Sequence, residues 1–336
     1  MEVLEKIINN GFTVNLVGVS AIDFYLNSKL QNSYIYIVTN ANVVDLSRIF
    51  ENIEYGYNLF DFAILENNKF YLVKTNEYPD FPFIVQYFTY DLKAKKFKNI
   101  FESFNHIKRR QTFLKENYQD NLTALMEHAK LISLFNFKID VNYSDIHFLP
   151  LNPYIQKELL ITILEGDLPE IGFELLLKNN FIQYYWHELY EMLKIEQIKD
   201  FHPEGNVWQH TMETFKYRKR KNLILSLALL LHDIGKAFTE EYDNKRFYRH
   251  AQVGAIICEK FLKRLNFEKD IIEKVKSLVK FHMLPEAINR IPKNKLEKIK
   301  EEVDLNLLFE VYRADISSSY KSLTNYYKFK KYIKNV

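Results

Sequence analysis

The stretch that most constrains this chain is VWQHTMETFKYRKRKNLILSLALLLHDIGK, residues 207–236. An apolar run, Leu223 to Leu231 with Ser226 its one polar break, ends in His232-Asp233. His210 lies upstream on a second helical pattern, and LLFEVYRADISSSY carries Asp315 downstream on a third. A histidine, a His-Asp pair and a distant aspartate carried on helices form the ligand set of a divalent-metal site.

The rest of the composition limits what can surround such a site. The 336 residues have room for two or three domains, and 47% of them are apolar, the profile of a globular protein. Only 8 Gly and 8 Pro occur, which favours long helices over a turn-rich β fold. Cys258 is the one cysteine, so neither an internal disulfide nor a cysteine-based zinc site is available, and its apolar helical setting reads as core. MEVLEKIINNGF lacks the pattern of a signal peptide, and the longest apolar run is too short to span a bilayer. These features predict a cytoplasmic protein with no membrane partner. A net charge of +3 does not by itself argue for nucleic acid. The basic residues cluster, however, at Lys108-Arg109-Arg110, at Arg218-Lys219-Arg220-Lys221, and at Lys328, Lys330 and Lys331. Such runs read first as solvated helix faces and second as contacts to a phosphate backbone.

The first hundred residues alternate short patterns. Residues 1–10 suit a helix, Thr13 to Val17 a strand, and Ser20 to Leu26 a helix capped by Ser20. Tyr34 to Val38 reads as a strand and Val43 to Phe50 as a helix. Leu59 to Leu65 and Lys69 to Lys74 read as a hairpin turning at Glu66-Asn67-Asn68. Phe83 to Tyr90 fits strand or helix. The expected product is a small mixed sheet with helices on one side.

GFTVNLVGVSAIDFYLNSKLQNSYIYIVTNA, within this region, resembles the head of bacterial tRNA CCA-adding enzymes and poly(A) polymerases. The spacing agrees and the chemistry does not. Gly18 is kept, but Val19 stands where that family has a second glycine, and Ile22 where it has an arginine before the retained Asp23. The family's two metal-binding aspartates fall on Tyr34 and Tyr36, and its third carboxylate on Leu72. Nucleotidyl transfer needs carboxylates to hold two metals. A phenol stays protonated at neutral pH and does not replace them. The resemblance therefore implies a nucleotidyltransferase-like domain without nucleotidyltransferase activity.

From about Asn105 onward nearly everything reads as helix. DNLTALMEHAKLISLFNFKID, residues 120–140, resembles a helix of the same family, with Asp120, Phe137, Ile139 and Asp140 kept. Thr123 and Met126 are among the residues standing where that family's nucleotide-selecting arginines lie. Phe181, Tyr184, Tyr185 and Trp186 read as core before they read as a base-stacking platform. KDFHPEG, near residues 199–205, breaks the helical pattern.

FHPEGNVWQHT, LLLHDIGK and the Ala-Asp at Asp315 together resemble the signature of the HD superfamily, largely metal-dependent phosphohydrolases. His250, in RFYRHAQVG, and His282, in LVKFHMLP, fall where that family has further histidines, although Phe281 replaces the first of a common His-His pair. His202 and Glu204 lie near the entry of the region. The chemistry of the residues points the same way. Asp233 is the natural bridge between two metals, with His210, His232 and Asp315 completing one shell, and His250 and His282 serving a second metal or the substrate phosphate. Lys236 lies in position to neutralise a phosphate oxygen.

The expected fold class is thus α+β: a small mixed-sheet nucleotidyltransferase-like domain over residues 1–104, a helical neck over 105–200, and an HD domain over 201–336. The expected catalytic residues are Asp233, His232 and Lys236. The expected metal ligands are His210, His232, Asp233, Asp315, His250 and His282, holding one or two divalent ions among Mn, Ni, Fe, Co, Zn and Mg. The expected function is hydrolysis of a nucleotide or RNA phosphoester, tRNA included. The alternatives are an active tRNA CCA nucleotidyltransferase and an RNA-binding scaffold with a metal site.

Overall fold

A computed structural model describes residues 1–196, 205–239, 247–288, 291–319 and 323–334. Two compact units divide the chain, Met1–Asp167 and Leu168–Val336. The middle segment expected over residues 105–200 is shared between them. No helix of the described residues is long and apolar enough to cross a membrane.

The first unit is built on one seven-stranded sheet in the order β3-β4-β5-β2-β1-β6-β7. Its strands are β1 (Val14–Val17), β2 (Tyr34–Thr39), β3 (Ile53–Glu54), β4 (Phe62–Glu66), β5 (Lys69–Thr75), β6 (Thr89–Asp91) and β7 (Lys96–Lys98). Every pairing is antiparallel except that of β2 with β5, so the sheet is mixed as expected. YIYIVT of β2 is buried at every position, as the centre of a sheet covered on both faces requires. The hairpin between β4 and β5 closes with Glu66 opposite Lys69. Asn67 and Asn68 both take positive φ, the backbone of a two-residue type I′ turn, which asparagine tolerates.

The helices of this unit are α1 (Glu2–Asn9), α2 (Gly18–Asn27), α3 (Val43–Ser47), α4 (Ser103–Arg109), α5 (Asn121–Phe135) and α6 (Pro153–Glu165). Ser20 does not cap α2. The helix starts two residues earlier at Gly18, and the Ser20 hydroxyl accepts a hydrogen bond from the Tyr36 amide at 2.8 Å. Gly18 has φ +56°, a left-handed backbone that glycine takes without strain, and a Cβ there would lie 2.9 Å from the Phe81 ring. α3 is shorter than the apolar pattern predicts, held at its start by a capping box between Asn42 and Asp45. Phe83 to Tyr90 divides into a 3₁₀ turn, Ile84–Tyr87, followed by β6. The expectation of near-continuous helix after Asn105 is too generous, because residues 111–120 and 136–152 are non-helical. Asp120 caps α5 by accepting from the Thr123 amide, and Asn136 ends that helix in the left-handed conformation.

The second unit is built of helices, with one isolated antiparallel bridge between Glu196 and Asn206 among its described residues. Helices α7 (Pro169–Lys178), α8 (Phe181–Tyr185) and α9 (His187–Tyr190) lead in. Phe181, Tyr185 and Trp186 are core there, and Tyr184 is exposed. Then follow α10 (Val207–Lys216), α11 (Leu223–Leu231), α12 (His250–Arg264), α13 (Lys269–Phe281), α14 (Leu284–Ala287), α15 (Lys293–Glu302), α16 (Leu305–Ser317) and α17 (Thr324–Lys334). Asn206, Asn222 and Asp304 cap α10, α11 and α16 by accepting backbone N–H bonds. Those caps place the helix starts close to where the sequence places them. Cys258 is buried on α12. Residues 320–322 lie outside the described residues, as do His202 and Glu204.

Candidate metal centre

All six sequence-predicted ligands lie on helices of the second unit or directly beside them. His210 is in the middle of α10. His232 and Asp233 follow α11 directly, His250 opens α12, His282 follows α13, and Asp315 is in the last turn of α16. The structure brings the six together. His210, His232 and Asp233 offer ligand atoms all within 4.8 Å of one another, and so do Asp233, His250 and His282. Asp315 joins through His210, whose Nε2 lies 3.1 Å from Asp315 Oδ1.

Asp233 is the hinge of this arrangement. Its Oδ2 lies 3.4 Å from His232 Nε2 and 3.9 Å from His210 Nε2. Its Oδ1 lies 3.6 Å from both His250 Nε2 and His282 Nε2. Each carboxylate oxygen therefore faces its own pair of imidazoles. Lys236, three residues on in a 3₁₀ turn, brings its Nζ to 2.7 Å from Oδ2.

The backbone fixes which imidazole nitrogen points inward. His232 Nδ1 lies 2.8 Å from the Leu229 carbonyl, His250 Nδ1 2.7 Å from that of Phe247, and His282 Nδ1 2.7 Å from that of Val279. A carbonyl only accepts, so each Nδ1 donates and Nε2 is the ring nitrogen that faces Asp233. His232 Nε2 is buried with no hydrogen-bond partner. An orphaned, inward-facing lone pair in a mixed N/O cluster fits a divalent cation. Burial depresses His232 and His250 to about 4, so both rings are neutral at pH 7, the form that binds a metal. Burial alone would raise Asp233, but Lys236 and the surrounding histidines hold it well below the usual carboxylate range.

The close seating of His250 depends on two glycines that the motifs alone do not single out. A Cβ on Gly235 would fall 1.9 Å from the His250 carbonyl oxygen and 2.5 Å from the Gly254 amide nitrogen. Only glycine lets the 3₁₀ turn after Asp233 lie directly on the start of α12. The Gly235 in HDIGK and the Gly254 four residues after His250 were the available signals.

In the first unit, the three positions aligned with nucleotidyltransferase carboxylates are core. Tyr34, Tyr36 and Leu72 are buried, and Tyr36 and Leu72 are register partners on β2 and β5. Tyr34 stacks on Phe70 at 4.7 Å between ring centroids. The Tyr36 hydroxyl is hydrogen-bonded to Glu158 on α6 and accepts from Lys130 Nζ on α5 at 3.2 Å. That ammonium also pairs with Glu127 at 2.6 Å and Glu158 at 2.7 Å. Gln86 donates to the other Glu127 oxygen. Burial disfavours the Lys130 charge, but the two carboxylates outweigh it and raise the group, so it remains an ammonium. Burial, with the like charge of Glu127, raises Glu158. A lysine thus supplies the positive charge at this point of the sheet. Sequence reasoning missed this network, whose partners are scattered over residues 36, 127, 130 and 158.

Comparison with known proteins accords with both units. Residues 206–319 match the HD domain family. The CC-adding tRNA nucleotidyltransferase of Thermus thermophilus is 33% identical over 140 residues, 39% of this chain and 32% of that protein. The multifunctional CCA protein of Shewanella denitrificans is 26% identical over 109 residues, 32% of this chain and 26% of that protein. The matched segments thus span a third or less of these relatives. The crystal structure of the Bacillus stearothermophilus CCA-adding enzyme in complex with CTP superposes with a TM-score of 0.53, over 99% of this chain and 81% of that one, at 12% identity. That likeness is one of fold. The chain carries an HD domain and is homologous to CCA-adding enzymes.

Proposed function

We propose that this chain, which carries an HD domain and is homologous to CCA-adding enzymes, is a divalent-metal-dependent phosphohydrolase acting on a nucleotide or RNA phosphoester. Its nucleotidyltransferase-like domain is proposed to be catalytically silent. The observation that carries the reading is Asp233, whose two oxygens each face a separate pair of imidazoles. That arrangement suits one or two metals, with His210, His232 and Asp315 on one side and His250 and His282 on the other. A divalent metal bound there supplies Lewis acidity toward a phosphoryl oxygen and lowers the pKa of a water nucleophile.

The chain's own groups do the rest. Asp233 stays ionised and balances positive charge in a buried site. The backbone carbonyls of Leu229, Phe247 and Val279 orient the imidazoles. Lys236, an ammonium at the edge of the cluster, neutralises a phosphate oxygen of the substrate.

The names of the curated relatives favour a second reading, tRNA nucleotidyl transfer. The burial of Tyr34, Tyr36 and Leu72 opposes it, because these positions offer no carboxylate to a metal. A third reading, an RNA-binding scaffold with a structural metal, predicts metal binding without turnover.

The test is hydrolysis by purified protein supplied with Mn, Ni or Mg, against 2′,3′-cyclic nucleotides and RNA ends, with Asp233→Ala as control. Metal-dependent turnover lost in the variant supports the proposal. Metal-loaded protein inactive on every substrate sinks it. Incorporation of CMP or AMP into truncated tRNA would rescue the second reading.

A further inference from the structure

His210 is held differently from the other three histidines of the cluster. His232 and His282 directly follow a helix and His250 opens one, and each sets its Nδ1 against a backbone carbonyl three residues back. His210 stands inside α10, where the carbonyls are taken up by the helix's own hydrogen bonds. Its Nδ1 faces a side chain, the hydroxyl of Ser318, at 3.4 Å. Its Nε2 faces Asp315 Oδ1 at 3.1 Å and Asp233 Oδ2 at 3.9 Å.

Ser318 lies just past the end of α16. Its amide bonds back to the Ala314 and Asp315 carbonyls, and its hydroxyl donates to the Asp315 carbonyl at 2.7 Å. That bond uses the single hydroxyl proton and fixes the oxygen in place, leaving lone pairs that accept. Ser318 and His210 are both buried. One oxygen thus touches two candidate ligands carried on different helices.

The arrangement bears on where His210 keeps its proton. A neutral imidazole carries one, on either nitrogen. Without a cation, the Asp315 carboxylate is the stronger acceptor and draws that proton to Nε2. A metal ligated by His210, His232, Asp233 and Asp315 needs the Nε2 lone pair, so the proton moves to Nδ1. A buried N–H left without an acceptor there would carry its full desolvation cost. The Ser318 oxygen is the acceptor in place. At 3.4 Å the contact is long for a hydrogen bond, and it should shorten once the proton lies on Nδ1.

We infer that Ser318 is a positioning residue of the metal centre, whose hydroxyl accepts from His210 Nδ1 and so frees Nε2 for the metal. This rests on the divalent-metal reading of the site and adds to it a residue that the motifs do not single out.

The test uses the full chain. Calorimetric titration with Mn or Ni defines the metal equivalent that His210→Ala weakens. Ser318→Ala should weaken that same equivalent by about 10- to 100-fold, the range for loss of an outer-shell partner. Ser318→Thr keeps the hydroxyl and should restore most of the loss. Ser319→Ala deletes a bond of the same kind, from a hydroxyl to the Ile316 carbonyl, and should bind metal like the parent. With Zn bound and the histidines isotope-labelled, NMR should find the His210 proton on Nδ1 in the parent. In Ser318→Ala that proton should lose the chemical shift of a hydrogen-bonded N–H. A serine with a merely structural role would lower the melting temperature and leave this signal where it was. Parent-like metal affinity in Ser318→Ala overturns the inference, as does an unchanged His210 Nδ1–H signal. Equal losses in Ser318→Ala and Ser318→Thr, or in Ser319→Ala, overturn it too. A parent that binds none of these metals removes both the inference and the proposed function. A parent that binds metal and hydrolyses no phosphoester counts against the proposed function alone.

Discussion

His250 and His282 face each other Nε2 to Nε2 across 3.2 Å, while the Nδ1 of each is tied to a carbonyl three residues back. Two ring nitrogens at this distance suit a cation shared between them, and Asp233 Oδ1 lies 3.6 Å from both. His282→Ala should therefore weaken one metal equivalent by more than about 10- to 100-fold, the range for loss of an outer-shell partner, because it removes a candidate ligand itself. His210→Ala should weaken the other. Calorimetric titration with Mn or Ni resolves the two, and unchanged stoichiometry and affinity in His282→Ala would dispose of the second seat.

Gly235→Ala should be among the most damaging single changes in the second unit. The added Cβ would meet the backbone of His250 and Gly254, which has no flexible end to yield. Overpacking against backbone costs about 3 kcal/mol or more. A lowered melting temperature together with weaker metal binding is expected, since any relief moves His250. Parent-like values for both would show that the two segments separate easily.

Lys130→Met should destabilise the first unit by about 3–5 kcal/mol, because it strands the buried carboxylates of Glu127 and Glu158. Lys130→Met combined with Glu127→Gln and Glu158→Gln should recover most of that loss, since no unpaired charge then remains. Urea denaturation measures both. A single variant as stable as the parent would mean that water reaches the cluster.

His128 on α5 carries a pH dependence of its own. Burial lowers it to about 4, and its Nδ1 lies 2.9 Å from the Tyr143 hydroxyl. In the unfolded chain the group titrates near 6.5, so the unfolded state binds the proton more readily. The stability from the neutral ring is fully present above about pH 6.5 and is lost as pH falls toward 4, to about 3 kcal/mol at most. His128→Gln should flatten that part of the stability–pH curve. Parallel curves for parent and variant between pH 4 and 6.5 would reject the assignment.

Much of the second unit could be read from its sequence because its information is local. Asn206, Asn222 and Asp304 are cap residues whose side chains bond amides two or three residues on, and they mark helix starts within a residue or so. His210 and Asp315 stand on those helices and His232-Asp233 directly follow one, and their residue types suit a divalent metal. In the first unit the β4–β5 hairpin was equally legible, because Asn67-Asn68 is a turn in itself.

Other features depend on distance in the chain. Ser20 reads as a helix cap, yet it serves the Tyr36 amide sixteen residues away, a partner that exists only once α2 lies on the sheet. The resemblance could set Tyr36 where the resembled family has a carboxylate, but not foresee that Lys130, Glu127 and Glu158 would converge on it from α5 and α6. Alone, each of those three is an ordinary helix residue; together they are a buried ionic cluster, because desolvation and pairing arise only on packing. The same holds for Asp233. Residue type and position made it a candidate ligand, whereas the separate histidine pair facing each of its oxygens is a product of four helices meeting at one carboxylate.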